Sequence, residues 1–561
     1  MTPTLDVLRR RPYNLGQADL DWVERTLAGL PRRRRLAQLF NVMLRPRGPE
    51  FMARLQAEQP GGVTQFMLGG PEAALPLLRS LADACELPLL VSGDVEGGAI
   101  GLAGSSPMSN QLGMAAMADA ALYERAVEVM AREARALGIN WSFTPVLDIN
   151  AEFRSAIVAT RSYGSDPALI GALAAIHVDA MQRNGVAATA KHWPGEGYDA
   201  RDQHLVTTLN PLGIEAWHAR FGALYRRLID AGVLSIMSAH IAWPAYARAR
   251  GVSGLEACRP ASVSRLLNLE LLRGELGFNG LIVSDASSMA GLASWGSRAR
   301  VLPELIENGC DMVLFGADLG ADLDLMEAAL DEGRLSAARV DEALVRVLGL
   351  KAVLGLHRAD IEALAPSWQA AQAAVQTPAH RAVSEAVAAA GATLVKDVRA
   401  LLPISPQRQR HVLLVTDPRR RGFGPIPPLP LVFDRLLQEQ GFEVTVYDPQ
   451  SPPEPARCDL TIFLLAQESL LTLSHIYLDW AAMLGPLESA MKRDWHDQPC
   501  MLVSFGQPYY LYDAPRMPCV INAYTATEPM QRAVVRKLVG LEPFSGVSPV
   551  DAFCGLPDAH Y

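Results

Sequence analysis

The sequence predicts an α/β chain, a (β/α)8 barrel of the TIM type followed by a smaller αβα sandwich. Eight short apolar runs alternate with longer amphipathic stretches in the first part of the chain, and a second, looser alternation follows. The 561 residues, half hydrophobic and one in five charged, suit a globular chain of more than one domain with substantial cores.

The eight runs are Leu36–Leu44, Gly62–Leu68, Leu87–Ser92, Asn140–Leu147, Val186–Lys191, Val233–His240, Gly280–Ser284 and Asp311–Phe315. Between them Ala115–Leu137, Pro167–Asn184 and Ile214–Ala231 carry spaced apolar positions among charged ones, as helices do. The first linkage, Arg45–Gln59, is shorter and weaker. A doubly wound open sheet is the rival, but it needs a glycine-rich phosphate loop after the first strand, and Asn41–Glu50 offers none.

The pattern loosens near Gly355–Thr377. The expected organisation is a barrel with an N-terminal extension over 1–355, a helical linker over 356–392 that includes Pro378–Ala390, and a sandwich over 393–561. In the last part His411–Val415, Glu443–Tyr447, Leu460–Leu465, Cys500–Phe505 and Cys519–Tyr524 read as strands, Leu431–Gln440 and Glu528–Val539 as helices. Pro425–Pro430 and Pro449–Pro455 read as loops. No short fixed repeat is present.

A net charge of −9 argues against broad nucleic-acid affinity, and the one basic block, Arg32–Arg35, reads as a solvated helix end. Seven cysteines (Cys85, Cys258, Cys310, Cys458, Cys500, Cys519 and Cys554) form no CxxC and read as free thiols, mostly buried. The N-terminus shows no apolar signal region, and no apolar stretch of about eighteen residues could span a membrane. A cytoplasmic location is therefore expected, with no nucleic-acid or membrane partner; the oligomeric state is left open.

In a barrel of this kind chemistry gathers at the C-terminal strand ends. The third run is followed by Asp94 and Glu96, the fourth by Asp148 and then Arg154 and Arg161. The fifth ends in Lys191 and His192, the sixth in His240, the seventh in Asp285. For Asp148 capping or bracing its own loop is an equal reading. The densest segment, Lys191 to His204, is shaped by Pro194, Gly195 and Gly197 into a non-helical loop. Asp202 and His204 lie two apart in it and share a face if the chain is extended. A carboxylate that orients an imidazole makes a general acid/base near neutral pH; the plainer reading is a surface ion pair. Asp285 stands where an apolar strand meets a small-residue turn. It could attack an anomeric carbon or simply cap the next helix, and the residues alone favour neither.

These segments resemble glycoside hydrolase family 3, in its β-N-acetylglucosaminidase branch. Lys191–His204 resembles the KHFPGHG-x4-DSH signature, and Ser284–Gly291 the SD-x-x-SM-x-G nucleophile motif. Gly93–Gly98 is similar to D-x-EGG, Phe143–Asp148 to FAPVLD, Arg161–Pro167 to RSFG-x-DP and Met237–His240 to MTAH. Order and spacing agree over roughly Leu36–Leu350. The resemblance implies Asp285 as nucleophile and His204, paired with Asp202, as acid/base. It implies that Asp94, Arg161, Lys191 and His192 hold sugar hydroxyls, with His240 joining them, and that no cofactor or resident metal takes part. The Asp-His element implies a small amino-sugar glycoside as substrate, a terminal β-linked N-acetylhexosamine such as GlcNAc. The expected activity is thus that of a retaining β-N-acetylhexosaminidase. Glu196 stands where the branch has histidine, Gln203 replaces the serine of DSH, and Ala99–Leu102 lacks the arginine that usually follows D-x-EGG.

Rival readings are a phosphorylase of the same glycosides, a β-glycosidase of another sugar, a metal-dependent hydrolase using His192, Glu196, Asp202 and His204, and a non-catalytic sugar-binding protein. Pro194 and Gly195 keep His192 and Glu196 off a common helical face, which weakens the metal reading.

Overall fold

The computed structural model describes residues 5–419, 428–451, 458–468, 477–485, 487–492 and 497–561. Parts of the two proline-rich segments read as loops, 425–427 and 452–455, lie outside the described residues.

Eight parallel strands close into a barrel: β1 (Phe40–Leu44), β2 (Gly62–Gln65), β3 (Leu90–Gly93), β4 (Trp141–Ser142), β5 (Ala187–Trp193), β6 (Ser235–Ser238), β7 (Leu281–Ala286) and β8 (Met312–Leu314). Each pairs with its neighbours in sequence and β1 pairs with β8, for example Phe40 with Val313. Each strand lies in or across one of the eight apolar runs, and most are shorter than the run. Leu36 and Ala37 belong to a preceding helix, Arg32–Ala37, and still bury completely, so burial rather than strand geometry made that run apolar.

The helices carry ordinary start signals. Asp119 caps Ala120–Ala136 by accepting from the Leu122 amide, and Asp166 caps Pro167–Arg183, which has proline in its first turn. The stretch from Ile214 to Ala231 is helical with a π turn at His218–Gly222, and stops at Gly232 in the left-handed region. The arginine block is helical but less solvated than expected. Arg33 is held by Glu58, Asp324 and Glu327, and Arg35 by Asp341.

The second sheet has the order β9 (Thr393–Asp397), β14 (Cys519–Asn522), β13 (Cys500–Ser504), β12 (Leu460–Leu465), β10 (His411–Thr416), β11 (Glu443–Val446). All pairs are parallel except β9 with β14. Its central strands are apolar on both faces: Val412, Leu414, Ile462 and Leu464 enter one core, Leu413, Val415, Phe463 and Leu465 another. A separate apolar cluster joins the two parts of the chain. Leu112 and Ala116 from the barrel side pack with Tyr509, Tyr524 and Val550.

Candidate active site

The ionisable groups named from the sequence do converge on the C-terminal rim of the barrel. Asp94 and Glu96 follow β3, Asp148 follows β4, Lys191 and His192 end β5, His240 follows β6 and Asp285 lies at the end of β7. The loop after β5 is shaped by glycine. At Gly197, whose φ is +108°, an added Cβ would run into the Ile149 carbonyl, so this close approach excludes any side chain.

Two charge networks fill the buried side of the rim. Glu96 accepts two parallel hydrogen bonds from Arg161, both 2.9 Å, and lies 2.7 Å from Lys191 Nζ. Lys191 also donates to Asp94 at 2.9 Å. Burial opposes the Glu96 charge, but Arg161 and Lys191 outweigh it and hold the carboxyl below its ordinary range. Burial likewise opposes the Lys191 ammonium, and Asp94 and Glu96 keep it charged. Glu96 was given no role by the sequence reading, although it lies two residues from Asp94, the same spacing that marked Asp202 and His204.

In the second network His192 Nδ1 faces Asp148 Oδ2 at 2.6 Å. Asp148 Oδ1 accepts from the backbone amides of His192 and Glu196 at 3.2 and 3.1 Å. Burial would raise the Asp148 pKa, but the His192 charge and these bonds lower it. Asp148 therefore braces its loop, as one reading held, and orients an imidazole as well. Glu196 is buried beside it. Burial first, then the Asp148 charge, push its pKa well above the carboxylate range, so it is a neutral acid. Its Oε1 accepts from Thr208 Oγ1 at 2.9 Å, while Oε2 has no hydrogen-bond partner among the described residues.

His204 stands on the open side. Its Nδ1 lies 2.7 Å from Asp202 Oδ1, which also accepts from the His204 backbone amide at 2.8 Å. The carboxylate fixes Nδ1 as the protonated nitrogen and leaves Nε2 for proton exchange. The Ala290 amide donates to the His204 carbonyl at 3.0 Å, and Thr207 Oγ1 to the Gly291 carbonyl at 2.7 Å, so the loop is tied to the one that follows Asp285. Asp285 accepts from the Ala286 amide at 2.7 Å. It caps no helix: the next one starts at Ala290, and its N-cap position is Met289, with no side-chain cap. Burial disfavours the Asp285 charge, but His240, His192 and His204 together hold its pKa below the ordinary value. His240 is itself fixed, with Nδ1 2.9 Å from Ser262 Oγ and Nε2 3.0 Å from the Ala286 carbonyl.

The four residues considered as metal ligands do not come together. Asp148, His192 and Glu196 form a group whose ligand atoms lie within 4.8 Å of one another, without Asp202 or His204. Within that group His192 Nδ1 and Asp148 are already spent on each other.

A closed parallel barrel with an aspartate at the end of β7 and a histidine–carboxylate pair on the loop after β5 fits an enzyme of glycoside chemistry. Comparison with known proteins agrees. Residues 33–350 match the glycosyl hydrolase family 3 N-terminal domain. A β-N-acetylglucosaminidase/β-glucosidase of Cellulomonas fimi is 38% identical over 572 residues, covering 99% of each chain. A β-hexosaminidase of Chromobacterium violaceum is 34% identical over 248 residues, 44% of this chain and 65% of that protein. Among solved structures, a β-glucoside phosphorylase, BglX, superposes with a TM-score of 0.90 at 32% identity over 99% of both chains. A family 3 β-N-acetylglucosaminidase from Paenibacillus sp. str. FPU-7 shares the fold, with a TM-score of 0.79 at 24% identity over 94% of this chain and 100% of that one. The chain belongs to glycosyl hydrolase family 3.

Proposed function

We propose that this enzyme is a retaining glycosidase that releases terminal β-linked N-acetylhexosamine, with Asp285 as nucleophile and His204, oriented by Asp202, as acid/base. The observation that carries this reading is an aspartate at the end of β7 that caps no helix, with the Asp202–His204 pair on a loop hydrogen-bonded to the one that follows it. In the first step His204 Nε2–H protonates the glycosidic oxygen as Asp285 attacks the anomeric carbon and the leaving group departs. In the second, His204 takes a proton from water, which displaces Asp285 and returns the sugar with retained configuration. Asp94, Arg161, Lys191, His192 and His240 hold and orient the ring, and that orientation lowers the barrier. The names of the Cellulomonas and Chromobacterium relatives support the amino-sugar preference. The free cysteines and the absence of any described helix long and apolar enough to cross a membrane fit a cytoplasmic setting.

Asp285→Ala abolishes turnover of an aryl N-acetyl-β-glucosaminide. A fluorinated N-acetylglucosaminide leaves a covalent sugar on the wild-type enzyme, located by mass spectrometry on the Asp285 peptide. Near-normal activity in Asp285→Ala, or an adduct elsewhere, overturns the assignment. Turnover of the matching β-glucoside at equal or higher kcat/KM instead makes this a β-glycosidase of broader sugar preference.

A second reading, a phosphorylase of the same glycosides, is favoured by the full-length likeness to the β-glucoside phosphorylase. An acid/base that is neutral after its proton transfer also leaves room for an anionic acceptor. Phosphate would then displace Asp285 and give a sugar 1-phosphate. Product analysis with and without phosphate separates the two: free sugar at an unchanged rate supports hydrolysis.

A further inference from the structure

The stretch after the D-x-EGG-like segment, Ala99–Leu102, contains no arginine, and a carboxylate from the second sheet domain is bound there. Glu468 lies three residues past the end of β12, at the C-terminal edge of that sheet. It is buried against the barrel rather than displayed to solvent. Its Oε2 accepts from the Ala99 amide at 3.0 Å and from Asn110 Nδ2 at 2.8 Å. Oε1 accepts from Thr525 Oγ1, in its own domain, at 2.7 Å. Its backbone carbonyl accepts from Thr160 Oγ1 at 3.0 Å. Gly98, at φ +57°, leaves the space: a Cβ there would collide with Glu468 Oε2.

These contacts meet the two loops that carry the buried charge network. Ala99 is three residues from Glu96, and Thr160 immediately precedes Arg161. Glu96 and Arg161 are joined by two hydrogen bonds of 2.9 Å, and Lys191 ties Glu96 to Asp94. One residue of the second domain thus bonds to the loop that follows Glu96 and to the residue before Arg161. Charge-assisted bonds from a carboxylate to backbone and amide donors are strong and directional. They hold the Gly97–Ala99 turn against Thr160 in one geometry.

We propose that Glu468 is a positioning residue: through its grip on Ala99, Asn110 and Thr160 it sets the placement of the Asp94–Glu96–Arg161–Lys191 network that holds the sugar. The proposal rests on the reading of that network as sugar-holding. It gives the second domain a part in substrate binding without placing any of its groups on the reacting atoms.

The test uses the full chain with an aryl N-acetyl-β-glucosaminide, measuring kcat and KM for Glu468→Ala, Glu468→Gln and Asp94→Ala. Glu468→Ala raises KM by on the order of tenfold or more and changes kcat less, since displacement of a positioning group acts at a distance from the chemistry. Glu468→Gln recovers most of the loss, because its amide oxygen can take the Ala99 and Asn110 bonds and its amide nitrogen can face Thr525. Glu468→Ala with wild-type KM overturns the proposal. So does equal loss in the Gln and Ala variants with KM unchanged and only kcat lowered, which would mark a group acting in the chemical step. Asp94→Ala tests the underlying reading separately: if it leaves KM unchanged, the network is not sugar-holding whatever Glu468 does. Should Glu468→Ala fail to fold, Thr525→Val, which releases only one oxygen of the carboxylate, decides the matter. A rise in KM of a few-fold supports the grip, and none overturns it.

Discussion

Two histidine–carboxylate pairs lie on this rim with nearly the same geometry and opposite surroundings. His192 and Asp148 meet at 2.6 Å with side chains 4% and 1% exposed; His204 and Asp202 meet at 2.7 Å, but the His204 side chain is 26% exposed. In both the carboxylate accepts a hydrogen bond from Nδ1–H and so directs Nε2 away from itself. The difference is what Nε2 then faces. For His192 it is Arg161, with Nη2 3.5 Å away, inside a packed network. For His204 it is the open side of a loop whose next residues, Leu205 and Val206, are themselves exposed. A proton donor must reach a leaving group and then exchange with an acceptor, which only the open pair allows. The closed pair can hold a ring or a hydroxyl in one orientation. Similar hydrogen bonding thus leaves one pair open to proton exchange, as the proposed acid/base role requires, and the other packed within a network.

The largest effect is expected at the open pair. His204→Ala lowers kcat by roughly 10² to 10⁴-fold for substrates with poor leaving groups, the ordinary worth of acid/base catalysis. The loss shrinks for aryl glycosides whose leaving group needs no proton, while the thermal midpoint hardly moves. A loss independent of leaving-group ability, read from kcat across a substituted aryl series, sinks the acid/base role.

At the closed pair the larger change is in stability. Asp148→Asn replaces an acceptor that serves three donors, the His192 ring and two backbone amides, by a group that can accept on one side only. Either an N–H then faces the new amide N–H, or the His192 ring must change tautomer to accept from it. Leaving a buried hydrogen-bonding group unsatisfied costs roughly 1–3 kcal/mol, which denaturant unfolding would read directly. Loss of activity without loss of stability would reverse the contrast drawn between the two pairs.

The barrel and the rim were legible because both rest on short-range pattern. Apolar runs of strand length, with ionisable residues at their ends, placed Asp94, Asp148, Lys191, His192, His240 and Asp285 on one edge, and that is where they lie. Strand limits were less legible. Around Trp141–Ser142 the apolar run continues because the chain stays buried through Leu147 after the strand has ended. What the sequence hid were partnerships across long separations. Nothing in Glu96 announces a bidentate bond to Arg161, sixty-five residues away, and nothing in Glu468 announces Ala99, on another domain. The Asp285 alternatives, attack or helix cap, turned on where the next helix starts, a local matter that small residues such as Ala286–Ser288 leave undetermined.

Glu196 offers the smallest and sharpest test of the closed region. It touches Thr208 through one oxygen, and burial beside Asp148 keeps it neutral. Its pKa in the folded protein is raised, whereas the unfolded chain titrates near the ordinary value of about 4.3. Below that value both states hold the proton and the neutral acid contributes fully. As the pH rises past it, the unfolded state gives up its proton first, so this contribution declines until the folded pKa is reached. Glu196→Gln has the shape of the neutral acid and nothing to titrate. The variant and the wild type should therefore melt alike below about pH 4, and the variant should melt higher at pH 7. The gain is read as the growth of the difference in melting midpoint between pH 4 and pH 7. A melting difference constant from pH 4 to pH 7 would mean that Glu196 is ionised in the fold. The closed region would then carry one more negative charge, and the His192–Asp148 pair could no longer be read as shielded from the open one.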